Sequence, residues 1–276
     1  MALLMSAVRW ATDTLKYHNE DAFGSSRNTF WVIDGASSLS SSVSNADVSR
    51  FSAQISDGLR EWAVECSDMP LAELVRLVHD LVLTEWSADP VAAIPTASLV
   101  VARVLEDSVE TFSLGDCTGY VRRDADISEV SDPQFHNNEK PLLDQVQASI
   151  QSGVTPDQAY ALLKPELLER RRRRNTPGGK WILGADPEAA LHGRMESFPY
   201  SVDQPLSVIL MTDGYRRAWD TYGLYPTLQE FLAQTENDPH EVLIRIRETE
   251  KSDPERTRYL RLSASDDATV CSTFVS

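Results

Sequence analysis

The chain has 276 residues, 42% hydrophobic and 25% charged, and carries a formal net charge of −16 at pH 7. That length supports a substantial core in one large domain. The charge excludes nucleic acid as a partner, because phosphate backbones demand a basic surface.

No apolar run approaches the roughly 18–20 residues that cross a bilayer, so no membrane contact is expected. Met1 to Trp10 lacks the basic start and small-residue cleavage pattern of a signal peptide. It reads as a first strand, with Leu4, Ser6, Val8 and Trp10 on one face. Thr29 to Asp34 is an apolar run ending in Asp-Gly, predicting a buried strand with Asp34 at its tip. Ser37 to Ser44 reads as a loop. Val48, Phe51, Ile55, Leu59 and Trp62 then recur at helical spacing, and Leu74, Val78, Leu81 and Val82 repeat it after Pro70 at N1. Thr96–Leu105 and Ser108–Leu114 form a predicted hairpin around Glu106-Asp107, with Gly119–Arg123 as a further strand. From about Lys140 to Arg174 the pattern is helical, broken by Gly153 and Pro156, with Thr155 as N-cap. Leu206–Met211 is a second apolar strand ending in Asp-Gly. A helix over Glu241–Lys251 and a strand over Ala268–Val275 complete the chain. Strands cluster, helices interrupt them and strands return. This favours an α+β fold of packed antiparallel sheets flanked by helices over a doubly wound parallel sheet.

Three widely separated cysteines, Cys66, Cys117 and Cys271, give neither a disulfide framework nor a zinc motif, which points to a reducing, cytoplasmic setting. The five histidines are scattered without metal-ligand spacing. Acidic groups are different. Glu20-Asp21, Asp34-Gly35, Asp213-Gly214 and Asp266-Asp267 each stand at an element boundary, two of them after strands too apolar to lie at the surface. Carboxylates at the ends of buried strands repel one another unless cations or protons compensate. An oxygen-only donor set favours Mg²⁺ or Mn²⁺.

The segments Asn19-Glu20-Asp21-Ala22-Phe23, Trp31-Val-Ile-Asp34-Gly35, Pro95-Thr96-Ala97-Ser98, Leu114-Gly115-Asp116, Met211-Thr212-Asp213-Gly214 and Asp266-Asp267-Ala268-Thr269-Val270 resemble, in order and spacing, the motifs of bacterial PP2C (PPM) phosphatases. The resemblance runs from about Asp13 to Val275. It implies one domain over residues 1–276, a four-layer αββα sandwich with a helical or flap insertion at about 140–195. It also implies a metal-dependent protein serine/threonine phosphatase acting on phosphorylated proteins with two ions, Mn²⁺ or Mg²⁺. By resemblance Asp34 bridges the two ions and the Gly35 carbonyl helps bind one. Asp213 and Asp266 hold one ion; Glu20 and Asp21 serve the second. A water shared by the ions would then attack phosphorus in line, with Asp34, Asp213 and Lys16 as the catalytic core.

Three positions depart from the family pattern. Lys16 stands where the family places a phosphate-clamping Arg, and offers a point charge instead of a fork. Asp34-Gly35-Ala36-Ser37-Ser38 has no histidine to protonate the leaving group. Arg217 replaces the Asp that would join Asp116 in a third metal site, leaving Asp116 a structural or supporting role. Other phosphatase chemistries fit less well. Cys117-x5-Arg123 matches the spacing of cysteine-dependent phosphatases, but its arginine end reads as strand instead of an anion-cradling loop. The basic block Arg170–Arg174 reads as a solvated helix end, or, joined to Asn175–Trp181, as a flap recruiting acidic or phosphorylated substrate. Two alternatives to the enzyme remain on these residues: a non-catalytic phosphoprotein-binding module, and a phosphatase of small molecules on the same scaffold.

Overall fold

Strands β3 (Thr29–Gly35), β4 (Ala97–Val104) and β9 (Leu206–Met211) are predominantly apolar because both of their faces are covered. The computed structural model describes residues 5–37, 43–87, 90–136 and 138–276. Among these, β1 (Arg9–Asp13), β2 (Ala22–Ser26), β5 (Ser108–Leu114), β6 (Thr118–Arg123), β7 (Asp126–Val130), β8 (Arg194–Pro199) and β10 (Ala268–Val275) complete two five-stranded sheets. Their orders are β1-β10-β9-β6-β7 and β2-β3-β4-β5-β8, with every pairing antiparallel.

The two-residue strand period sorts the side chains into layers. Phe30, Val32, Val100 and Ala102 of one sheet share a core with Val208, Leu210 and Cys271 of the other. Their neighbours Trp31, Ile33, Leu99 and Val101 point the opposite way, onto Phe51, Ile55 and Leu59 of α1 (Asn45–Glu65) and Leu74 and Val78 of α2 (Leu71–Glu85). On the far side Ile209 and Met211 meet Tyr215 of α6 (Asp213–Asp220), Phe231 of α7 (Leu228–Asn237) and Ile246 of α8 (Pro239–Ser252). The result is the expected four-layer αββα order.

Between β7 and β8 the chain builds α3 (Lys140–Gln151), α4 (Pro156–Ala161) and α5 (Lys164–Arg172), with a small core of Leu142, Val146, Ala159 and Leu163. The breaks fall where expected: Gly153 has φ +93°, and Thr155 forms a capping box with Gln158. Elsewhere the structure differs from the sequence expectation. The first strand begins only at Arg9 and buries Ala11, while Trp10 is half exposed and stacks on Phe23. Pro70 caps α2 instead of opening it, and Leu81 lies on the exposed side. Asp213-Gly214, read only as the end of a strand, opens the helix α6. Leu4 and Ser38–Ser42, the middle of the expected serine loop, lie outside the described residues. Among the described residues, no helix is long and apolar enough to cross a membrane.

Candidate metal centre

Antiparallel pairing brings the acidic segments to one edge of the sandwich. Asp34 is the penultimate residue of β3, opposite Ser98, and Ala22 at the start of β2 pairs with Ile33 beside it. In the second sheet Met211 pairs with both Val270 and Thr118. That register sets Asp213, just past β9, near Asp266, just before β10, and near Asp116 in the β5–β6 turn. Gly35 ends β3, where its N–H donates to the Glu20 carbonyl at 3.2 Å. A Cβ on Gly35 would lie 2.5 Å from that carbonyl oxygen and from Val48, so only glycine lets the two segments meet.

The electrostatics identify these groups as one cluster. Burial first, and then the charges of Asp213, Asp21, Asp116 and Asp266, push the Asp34 carboxyl well above the usual carboxylate range. Asp21 is raised likewise, by burial and then by Asp267, although Thr212 donates to its Oδ2 at 3.0 Å. Asp213 is pushed up to about 6 by burial, against the pull of Arg217. For Asp34 and Asp21 the neighbouring acids add to the effect of burial, whereas at Asp213 burial raises the carboxyl and Arg217 is the strongest opposing charge.

Two cations of the chain sit among the carboxylates. The Lys16 ammonium donates to Glu20 Oε2 at 2.6 Å, Asp267 Oδ2 at 3.0 Å, Ser37 Oγ at 3.0 Å and Asp266 Oδ1 at 3.2 Å. Burial alone would depress its pKa, but Asp266, Glu20 and Asp267 raise it, so Lys16 stays charged. Arg217 is buried, and its guanidinium donates to Asp266 Oδ2 at 2.9 Å and Asp213 Oδ2 at 3.4 Å. Asp266 is therefore held below the usual range despite its burial, by Arg217 and then Lys16.

The donor set fits hard divalent ions. Every predicted ligand is an oxygen, and Glu20, fully buried, leaves Oε1 without a partner among the described residues. Burial and the neighbouring acids disfavour ionisation of Asp34 and Asp21, a cost that a bound cation would offset. Among the described residues no three acidic, histidine or cysteine side chains already form a cage around one point; Lys16 and Arg217 take up the oxygens instead.

The predicted site residues Lys16, Glu20, Asp21, Asp34, Gly35, Asp213 and Asp266 thus come together. Asp116 stands at the same edge, tied to Ser98, which donates to its Oδ1 and accepts from its N–H at 3.2 Å. Arg217 faces Asp213 and Asp266, where its charge opposes a further cation. Cys117 is buried, and burial with the nearby acids pushes its thiol well up, which removes it as a nucleophile.

Some residues and roles at the site are not evident from sequence, the role of Asp267 and the presence of Glu139 among them. Asp267 accepts from Thr14, Lys16 and the Glu20 N–H, and so locks the first motif to the last. Glu139, just before α3, lies within the field of Arg217 and Asp213, and burial pushes its carboxyl up to about 7. A lone Glu before an ordinary helix gives no signal. The solvated reading of the arginine block also fails for two members: Arg171 donates to the Ser37 carbonyl, and Arg174 to Thr96 Oγ1 at 2.9 Å, within the field of Asp116 and Asp34.

Comparison with known proteins agrees with this geometry. The family model for Protein phosphatase 2C matches residues 15–246. No curated protein sequence matches the chain. Among solved structures, the catalytic domain of the serine/threonine protein phosphatase PstP, in complex with two manganese ions, is 16% identical with TM-score 0.58, each chain being covered over 99%. MsPP, a PPM Ser-Thr phosphatase from Mycobacterium smegmatis in complex with cacodylate, is 19% identical over 97% of each chain, with TM-score 0.58. The serine/threonine phosphatase Stp1 from Staphylococcus aureus is 15% identical, covering 98% of this chain and 94% of its own, with TM-score 0.54. At such identities these structures speak to the fold alone.

Proposed function

Because the chain belongs to the protein phosphatase 2C family, and is thereby a phosphatase, we propose that it hydrolyses phosphoserine and phosphothreonine in cytoplasmic proteins as one unit over residues 1–276. Glu20, Asp21, Asp34, the Gly35 carbonyl, Asp213 and Asp266 would hold two Mn²⁺ or Mg²⁺ ions. When bound, the ions supply positive charge for the phosphoryl oxygens and acidify an attacking water. The chain's own residues do the rest. Asp34, Asp213 and Asp266 fix the centre from three separate elements, so its geometry is set by the sheets. Lys16 keeps its proton and serves as a point charge for a phosphoryl oxygen, not as a proton donor.

One observation carries this reading. Carboxylates from distant segments converge in one buried cluster, where burial first, and the neighbouring acids with it, push Asp21, Asp34 and Asp213 upward although Lys16 and Arg217 are already among them. Such a cluster gains from further positive charge. The test is hydrolysis of a phosphothreonine peptide with Mn²⁺ or with EDTA, for wild type and Asp34→Asn. Turnover should require the ion and fall in the variant by at least about 10²–10³-fold, the scale of losing a charge-stabilising group.

The ion pairs of Lys16 and Arg217 also support a second reading, a folded module that binds phosphoproteins without turning them over. No hydrolysis with any divalent ion, by protein whose fold is intact, would select it.

A further inference from the structure

Beside the acidic centre lies a cavity of about 390 Å³ whose wall includes Arg170, Arg173, Arg174 and Lys180. In a chain of 42 acidic and 26 basic residues, such a grouping would be expected to collect carboxylates. It does not. Arg170 pairs with Glu166 at 2.7 Å; Arg173, Arg174 and Lys180 have no carboxylate in ion-pair contact among the described residues. Lys180 donates to Asn138 Oδ1 at 2.6 Å and lies 4.8 Å from the Phe135 ring centroid.

The backbone builds this grouping. After α5 the chain turns at Asn175, φ +53°, whose N–H donates to the Lys180 carbonyl at 2.9 Å. The Asn175 side chain closes the loop on both polar groups of Ile182, at 2.9 Å each. Gly179 approaches Arg173 so closely that a Cβ would meet its carbonyl oxygen at 1.7 Å. Lys180 is thereby returned to the side of Arg173 and Arg174. The cations repel one another there: burial first, then Arg170 and also Arg174, hold the Lys180 ammonium below its ordinary range. An anion in the cavity would relieve that repulsion and gain charge-assisted hydrogen bonds.

Arg174 links the cavity to the acidic centre. It lines the first and, through Thr96 at the foot of β4, stands within the field of Asp116 and Asp34. We propose that this cavity is a second anion site, which takes an acidic group flanking the phosphorylated residue of a peptide substrate. The substrate class is therefore acidic phosphopeptides. The inference rests on the phosphatase reading above for its substrate, though not for its anion chemistry.

The test compares phosphothreonine peptides with glutamate, phosphoserine or glutamine at positions two to four on either side. Wild type should favour glutamate over glutamine flanks by about tenfold in kcat/KM, through KM, as expected for one or two charge-assisted bonds. The phosphoserine peptide decides whether a carboxylate or a phosphate is the better occupant. Arg173→Glu/Lys180→Glu should abolish the preference, whereas Lys251→Glu, at the end of α8, should retain it and so exclude a bulk charge effect. Hydrolysis of an aryl phosphate, which has no second anion, should fall at least fivefold less than that of the glutamate peptide. An equal fall on both substrates, or a preference that survives the double variant, overturns the proposal. If wild type hydrolyses none of these esters, the phosphatase reading fails on its own. Fluorescence anisotropy of the labelled peptides without metal then reads the cavity directly: a glutamate preference lost in the double variant supports it, and equal binding of all three peptides overturns it.

Discussion

Replacing Arg217 by methionine separates the two kinds of cation that this centre accepts. The Arg217 side chain is 6% exposed and those of its partners Asp266 and Asp213 are 25% and 27% exposed, so the pairs fall between surface and interior. Exposed pairs contribute about 0–1 kcal/mol, and breaking a fully buried one costs about 3–5 kcal/mol. A loss of about 2 kcal/mol is therefore expected in EDTA, which for a chain of this size lowers Tm by about 4–8 °C. The effect on divalent ions has the opposite sign. Even with the screening of bulk water, a dication about 4 Å from a guanidinium is destabilised by about 2 kcal/mol, so removing the charge should tighten binding roughly thirtyfold. Thermal unfolding in EDTA and across a Mn²⁺ titration measures the first quantity, and calorimetry of Mn²⁺ binding the second. Arg217→Met should start lower than wild type and gain more from the ion. An unchanged Mn²⁺ affinity would show that Arg217 does not compete for Asp213 and Asp266, and the electrostatic account of the centre would be wrong.

Gly35→Ala places a Cβ 2.5 Å from both the Glu20 carbonyl and Val48, and overpacking of that kind should cost about 1–3 kcal/mol by urea unfolding. Since β3 must shift to admit it, Mn²⁺ affinity should fall as well; a variant as stable and as metal-responsive as wild type refutes the close-approach argument. His79 is fully buried, and burial depresses its pKa despite the bond between Nε2 and the Gly184 carbonyl at 2.7 Å. The unfolded imidazole takes up a proton below about pH 6.5 while the folded one resists, so stability is lost as pH falls through that value, by up to about 1.4 kcal/mol per pH unit. Urea midpoints between pH 8 and 5 should decline less steeply in His79→Gln, and parallel profiles would remove His79 as the cause.

The elements legible in the sequence are those whose surroundings are uniform along their length. β3, β4 and β9 are covered on both faces and read as apolar runs; α1 and α2 press one face on a sheet and read as helical stripes. β7 and β8 are edge strands with mostly exposed or half-buried residues, Asp126–Val130 and Arg194–Pro199, and such stretches carry little hydrophobic signal. β2 is half-exposed and contains Gly24, while α6 opens with Asp-Gly, which by local preference is a turn. Its helix forms because Tyr215 and Ala218 are buried against the outer face of β9, a tertiary effect that overrides the local one.

The acids of the centre were legible because each sits within one or two residues of a strand end, in a short motif. The separate roles of the arginines in the block Arg170–Arg174 were not, since they depend on how α5 and the turn after it sit against the sandwich. Successive residues of a helix differ by about 100°, so residues three apart share a face. The block Arg170–Arg174 straddles the end of α5, and its charges divide: Arg171 turns to Ser37, Arg174 to Thr96 and the cavity wall, Arg170 and Arg173 to the cavity, and Arg172 to Glu169 and solvent. Five identical letters thus acquire three different functions. What sets the phase is the packing of α5 and the turn closed by Asn175 and Gly179, contacts that no run of arginines encodes. Altering that turn should therefore redistribute the charges without changing any of them. Gly179→Ala is the smallest such change: it should weaken the preference for acid-flanked peptides, while Arg171, held to Ser37 from within the helix, continues to face the acidic centre.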